Sequence, residues 1–394
     1  MEHNDCDVII LADEPAALTE LCGISILERL LRILQRLGTA RVTIVSAAQD
    51  LIRTHLTNPS WARAEVSLNF AGAWPPLRKR TLVISAAYYD ARMLAALLAQ
   101  QTPTLLVDHR SHCAAALINP AVAPAAAKSD SFFDRLAIAA KRGEIQTLHL
   151  AAIPSYITSM RRSIPLVWFP APTTSEASAS AERQILDAAQ NGTLDLPAIV
   201  HAPIETWMIR RLCRTAVTPN QITLFTATVS AVVTLLFALG SIVTGTVLAL
   251  VVGVLDGLDG KQARVKIETT PLGQREHALD YLLELSWWTA LAYHFGSYPW
   301  LLLLIGSDLL DRLAKKHAKQ LTGRNLDDVA PFDRFVRLIG GRRNIYIWIF
   351  AGGLLARAAD KAFVALCCWG AVTAAVHLVR VGWLYAGRAE RVSH

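Results

Sequence analysis

The chemically densest part of the chain runs from Leu255 to Glu284 and reads LDGLDGKQARVKIETTPLGQREHALDYLLE. Asp256 and Asp259 stand three positions apart, which places both carboxylates on one helix face. They close an almost uncharged run, and a charge at bilayer depth is costly and usually functional. Glu276, Asp280 and Glu284 recur at intervals of four, a carboxylate stripe along the start of the next apolar stretch. Packed together, two such helices bring four or five carboxylates into one polar cavity, where a bound cation has to offset their repulsion. Oxygen-only donors favour Mg²⁺ or Mn²⁺ over zinc. Gly257 and Gly260 leave the backbone open to a substrate, and Lys261, Arg264 and Lys266 are placed to meet phosphates. Divalent metal beside phosphate-binding cations at a membrane face points to phosphoryl-group transfer. Simple pairing at helix ends explains one Asp and one Arg, but not the whole constellation.

The elements that must position these groups fall into two parts, residues 1–195 and 196–394. The chain has 394 residues, 53% of them apolar, with a net charge of +7. Its mean hydropathy of +0.33 exceeds that of an ordinary soluble protein. In the first part, short apolar runs alternate with helical patterns. Val8–Ala12, Arg41–Ser46, Thr81–Ser85 and Thr104–Val107 read as strands, and Ile24–Leu37 and Ala91–Ala99 as helices. That alternation predicts an α/β fold with a doubly wound, mostly parallel sheet. Pro170–Ser180 (PAPTTSEASAS) reads as a loop. The second part predicts an all-α bundle of six membrane helices. Two lie within Asn220–Leu255, and the others lie at Tyr281–Phe295, Trp300–Leu310, Ile345–Leu355 and Phe363–Val381. The basic clusters Arg210–Arg214, Lys261–Arg275, Arg312–Arg343 and Arg388–Arg391 all fall on one side of such a bundle, the cytoplasmic side by the positive-inside rule. The six cysteines show no CxxC pairing, and the N-terminus lacks a basic, cleavable leader, so the first part is expected in the cytoplasm. Basic residues that follow membrane topology rather than a stripe on the soluble part argue against nucleic acid as a partner.

Asp256, Asp259, Gly260, Ala263, Arg264 and Gly273 reproduce DxxDGxxAR followed by eight residues and Gly, so the second part resembles the CDP-alcohol phosphatidyltransferase family. The segment Val217–Thr223 (VTPNQIT) is similar to the one that opens the first span in those enzymes. The resemblance implies a dimeric cytoplasmic-membrane enzyme with two divalent ions, Mg²⁺ or Mn²⁺, under a cytoplasm-facing pocket. Such enzymes move the phosphoalcohol part of a CDP-alcohol onto an acceptor hydroxyl and release CMP, in phospholipid or phosphodiester synthesis. It further implies Asp256 and Asp259 as metal ligands and Asn220, Gly260, Lys261, Ala263 and Arg264 as substrate contacts. Arg342 and Arg343, beside Arg337, form a second basic cluster for a phosphate on the acceptor. The family expects Asp where this chain has His277 and Tyr281, and Glu276 and Asp280 keep the spacing of four one residue early. One residue turns a helix by about 100°. On the shifted register Glu276 completes the metal site and Asp280 is both ligand and general base, with His277 the rival for either role.

The first part resembles the nucleotidyltransferase domains fused to some relatives, such as the bifunctional enzymes that make CDP-inositol and then di-inositol phosphate. The resemblance rests on a strand, a loop, then GISILERLLRILQRLG and RVTIVS. Its first loop, LADEPAALTELCG, holds no Lys or Arg for a triphosphate, and Thr81–Ser85 runs into Ser85-Ala86-Ala87 rather than a metal-binding Asp. Asp13 and Asp108 are lone acids with surface or capping roles. The first part is therefore expected to be non-catalytic. The alternatives are a bifunctional enzyme that also makes its CDP-alcohol from CTP, and a non-catalytic membrane protein that keeps the fold for binding or transport.

Overall fold

A computed structural model describes residues 6–12, 16–57, 66–108, 113–121, 129–157, 160, 162–190, 195–268 and 271–392. It divides into two compact units. One comprises Met1–Ala189 with Arg210–Ala216 and Ala263–Glu268; the other comprises Gln190–Ile209, Val217–Gln262 and Thr269–His394.

The first unit is built on a seven-stranded sheet. Asp7–Leu11 lies in its interior, beside the central strand Thr81–Ser85, because a run such as DVIIL can bury both of its faces only inside a covered sheet. On one side lie Arg41–Val45 and then Ser67–Ala71; on the other lie Thr81–Ser85, Cys113–Ile118, Thr104–Val107 and Gln146–His149. Val8 stands opposite Val42 and Leu82. Every neighbouring pair is parallel except those made by Cys113–Ile118, which runs antiparallel to both its neighbours. Ile10, Leu82, Val83 and Ile84 have no solvent exposure.

Helices α1 (Ile26–Arg36), α2 (Gln49–His55), α3 (Ala91–Leu98), α4 (Ser129–Lys141) and α5 (Ser175–Ala189) complete this unit. Ser25 caps α1, its hydroxyl accepting the Glu28 amide at 3.1 Å, and Asp90 caps α3 through the Arg92 amide at 2.9 Å. The mostly parallel sheet and all four expected strands are present. The loop expected at Pro170–Ser180 is corrected from residue 175 onward. Thr174 accepts the Ala177 amide at 3.2 Å and starts α5, where the Ala and Glu content of SEASASAERQILDAA carries helix propensity that the Ser and Thr residues mask. Asp13 lies outside the described residues. Asp108 lines a cavity of about 520 Å³ beside His149.

The second unit is helical: α6 (Ala198–Leu212), whose last turn belongs to the first unit, α7 (Pro219–Ala238), α8 (Ile242–Lys266), α9 (Pro271–Phe295), α10 (Tyr298–Thr322), α11 (Pro331–Ile339), α12 (Arg343–Leu355) and α13 (Ala359–Val392). A capping box starts α7, with Thr218 accepting the Gln221 amide at 3.3 Å and the Gln221 side chain accepting the Thr218 amide at 2.9 Å. Among the described residues three helical stretches are long and apolar enough to cross a membrane, Pro219–Ala238, Ile242–Lys266 and Ala359–Ala386. Helices occupy the other three expected positions, but α9 and α10 carry charged residues and α12 has only 13 residues. The core gathers Phe237, Trp287, Phe350 and Phe363. The Trp287 indole donates to the Ser230 carbonyl at 2.9 Å, joining α9 to α7.

Removing packing in the sheet interior is expected to be costly. Ile10→Ala should lower stability by about 2–5 kcal/mol, whereas Leu51→Ala at an exposed position should stay within about 0.5 kcal/mol. Chemical unfolding of the full chain in detergent, followed by circular dichroism, measures both.

Candidate functional site

The last three turns of α8 carry the signature residues. Asp259 is 4% exposed. Its two oxygens are both engaged: Oδ2 accepts the Thr223 hydroxyl of α7 at 2.6 Å, and Oδ1 accepts the Gly260 amide at 2.5 Å. Asp256, one turn earlier and more open, has its Oδ2 at 2.5 Å from an Arg343 guanidinium nitrogen at the start of α12. That guanidinium also stands 6.0 Å over the Trp287 ring of α9. Asp280 of α9 lies within electrostatic range of Asp256, Asp259, Glu284 and Arg343. Glu284 accepts the Trp288 indole N–H at 3.3 Å. Three helices thus place Asp256, Asp259, Glu284 and Arg343 within electrostatic range of Asp280. Tyr281, the next residue on α9, is directed elsewhere, its ring 4.3 Å beneath the Arg312 guanidinium.

The remaining expected residues have defined places. The side chains of Glu276 and His277 lie outside the described residues; their backbone belongs to α9. Lys261 is fully buried, donating to Thr206 at 2.7 Å, touching Gln190, and lying 3.8 Å from Glu205. Arg264 donates to the Ala189 carbonyl and Lys266 to the Thr215 carbonyl, each at 2.6 Å. Gly260 and Ala263 are half-buried. At the start of α7 the Asn220 amide oxygen is buried with no protein hydrogen bond. Arg342 pairs with Asp327 at 3.0 Å, and Arg337 stands 3.6 Å from Asp328.

The room expected at Gly257 for a substrate is taken, which corrects that reading. A Cβ there would come 2.4 Å from Oε1 of Glu205 on α6, so the glycine admits a buried carboxylate of this chain. Glu205 and Thr223 were both missed from sequence. Each meets α8 across more than thirty positions of chain, and neither carries a local signal.

Among the described residues no three acidic, His or Cys side chains converge as a metal cage. The donor chemistry nevertheless suits a hard divalent cation, since Asp256, Asp259 and Asp280 offer oxygen alone. The Arg343 guanidinium supplies the positive charge at Asp256 in this arrangement.

Residues 216–317 match the family model for CDP-alcohol phosphatidyltransferase. The chain carries a CDP-alcohol phosphatidyltransferase domain. The matched range holds α7, α8 and α9, and with them all four carboxylates. Arg343 lies beyond the matched range.

A solved phosphatidylinositol phosphate synthase from Mycobacterium tuberculosis, with CDP-DAG bound, is 21% identical with a TM-score of 0.35. The likeness covers 46% of this chain and 93% of that one. The 4-diphosphocytidyl-2C-methyl-D-erythritol synthase of Anaerococcus prevotii is 10% identical with a TM-score of 0.30, over 46% of this chain and 98% of that one. No curated protein matches the chain significantly.

The Gly257 contact yields a coupled prediction. Gly257→Ala should destabilise by about 1–3 kcal/mol through overpacking. Combined with Glu205→Ala, the loss should fall below the sum of the two single losses by about 1 kcal/mol or more, as read from unfolding midpoints of the four proteins of the cycle.

Proposed function

We propose that this protein is an integral membrane CDP-alcohol phosphotransferase. It moves a phosphatidyl group from CDP-diacylglycerol to an acceptor hydroxyl and releases CMP. The observation that carries the reading is that Asp280 on α9 lies within electrostatic range of Asp256 and Asp259 on α8, inside an apolar helical unit. Carboxylates so placed are expensive to keep without a cationic partner or a catalytic use.

Asp256, Asp259 and Asp280 would hold Mg²⁺ or Mn²⁺, joined by Glu276 as the residue nearest the family pattern. When bound, such ions neutralise charge developing on the diphosphate and its CMP leaving group. The chain's own residues do the rest. Thr223 and the Gly260 amide fix the orientation of Asp259, so its carboxylate is in position before a substrate arrives. Arg343 neutralises Asp256 in the resting arrangement and is free to turn to an anionic acceptor once that charge is otherwise met. Asp280 takes the proton from the acceptor hydroxyl. The hydroxyl oxygen bonds to the phosphorus bearing the diacylglycerol, and the bond from that phosphorus to the oxygen bridging it to CMP breaks. Asp280 is assigned this role over position 281 because it shares the electrostatic environment of Asp256, whereas Tyr281 faces Arg312.

A lipid-linked donor is supported by an apolar groove of about 630 Å³ lined by Leu196, Ile199, Val200, Ile345, Trp348 and Trp369. Its lining suits acyl chains and offers nothing to a polyol. The reading includes six spans, a cytoplasmic face for the active site, and a homodimer in the cytoplasmic membrane. The α/β unit serves as a non-catalytic part, its first loop lacking any basic residue for CTP.

Purified full-length protein should release CMP in a divalent-dependent manner, and chelation with EDTA should stop it. Asp256→Asn should lower kcat by a factor on the order of 10³ or more, and Asp280→Asn should do the same. Turnover retained in Asp280→Asn but lost in His277→Ala would overturn the assignment of the base.

A further inference from the structure

Helix α1 has the periodicity of an amphipathic helix, with Leu27, Leu30, Leu31 and Leu34 facing the sheet core. Arg29 and Arg32 fall on its other face, where arginines ordinarily meet water. Here they are 2% and 1% exposed. What covers them is the end of α8. Arg29 donates to the Val265 carbonyl at 2.6 Å and to the Leu21 carbonyl at 2.9 Å. Arg32 donates to the Lys266 carbonyl at 2.5 Å and to the Glu268 carboxylate at 3.0 Å, and it pairs with Glu28 on its own helix. The Glu268 amide closes back on the Ala263 carbonyl at 2.9 Å. Of the four carbonyls that the end of α8 leaves without helical partners, three are therefore met, two of them by guanidinium groups from α1. Burial lowers the Arg29 pKa, the expected cost of holding a cation there between carbonyls and the Tyr88 ring.

The next residue shows the same capture. Ile267 has φ +54°, a left-handed conformation costly for a β-branched side chain, and that turn packs its side chain against the sheet core. Arg264 and Lys266 each donate to a further carbonyl of the same unit. The final turn of α8 is thus integral to the α/β unit, while the same continuous helix carries Asp259 six residues upstream, about 9 Å along its axis.

We infer that Arg29 and Arg32 are positioning residues for phosphotransfer: they cap α8 and so fix the rotation and axial register at which Asp256 and Asp259 meet Asp280. The inference rests on the proposed function for its catalytic consequence. It gives a unit without a triphosphate loop a definite task. The two-point grip of Arg29 on Val265 and Leu21 requires a planar fork that lysine lacks.

The test compares full-length wild type, Arg29→Ala, Arg29→Lys and Leu30→Ala. Leu30 is a buried neighbour on α1 that packs in the sheet core and touches no part of the site. Two readouts are taken: hydrogen exchange of the amides of 259–268, and the split between kcat and KM for CMP release. Both Arg29 variants should raise exchange in that segment at least about tenfold and lower kcat by a factor on the order of 10², with the donor KM within about twofold. Leu30→Ala should destabilise the α/β unit yet leave kcat at its wild-type value. Wild-type exchange and kcat in Arg29→Ala, or an equal kcat loss in Leu30→Ala, would overturn the inference. If no CDP-alcohol is turned over even by wild type, the proposed function fails while the exchange comparison still decides whether Arg29 caps α8.

Discussion

Placing carboxylates inside an apolar helical unit is the constraint on which the rest of this molecule depends. An unpaired buried carboxylate is costly enough that proteins either neutralise it or surround it with donors. Here Asp259 is met by a threonine hydroxyl and a backbone amide, and Asp256 by the Arg343 guanidinium. These partners come from α7 and α12, so the site forms only when helices distant in sequence have packed. Glu205 and Lys261 repeat the pattern one turn along α8, a second carboxylate admitted by Gly257 and offset by a buried lysine. Polar partners therefore meet the acidic C-terminal turns of α8, while its earlier residues pack in the apolar core.

The α/β half obeys a different logic. Its sheet is assembled from runs of β-branched and other apolar residues, and its first loop holds no Lys or Arg for a nucleoside triphosphate. What it holds is a helix carrying two buried arginines, placed against backbone carbonyls that need donors.

Much of this was legible in the sequence, for identifiable reasons. Asp7–Leu11, Arg41–Val45, Thr81–Ser85 and Thr104–Val107 are continuous or alternating runs of β-branched and apolar residues, and such runs announce themselves. Cys113–Ile118 (CAAALI) did not, because alanine has low strand propensity and only pairing to both neighbours holds it in the sheet. Ser67–Ala71 and Gln146–His149 lie at the two edges, where burial is partial and the apolar pattern weak. The helix from Ser175 was hidden by its serines. In the site, Asp256, Asp259 and Asp280 could be read because helical spacing is local. The partners Glu205, Thr223 and, for Asp256, Arg343 could not, since they approach only through tertiary packing.

The central claim is that these carboxylates perform phosphatidyl transfer from a lipid-linked nucleotide. The most direct measurement is CMP release by the purified full-length protein, in detergent with Mg²⁺. Its donors are CDP-diacylglycerol and, separately, water-soluble CDP-alcohols, each with a panel of free and phosphorylated acceptor alcohols. The account predicts turnover with CDP-diacylglycerol and one class of acceptor, and none with the water-soluble donors. Silence across the panel from folded protein that still binds Mg²⁺ and CDP, or turnover confined to a water-soluble donor, would contradict it.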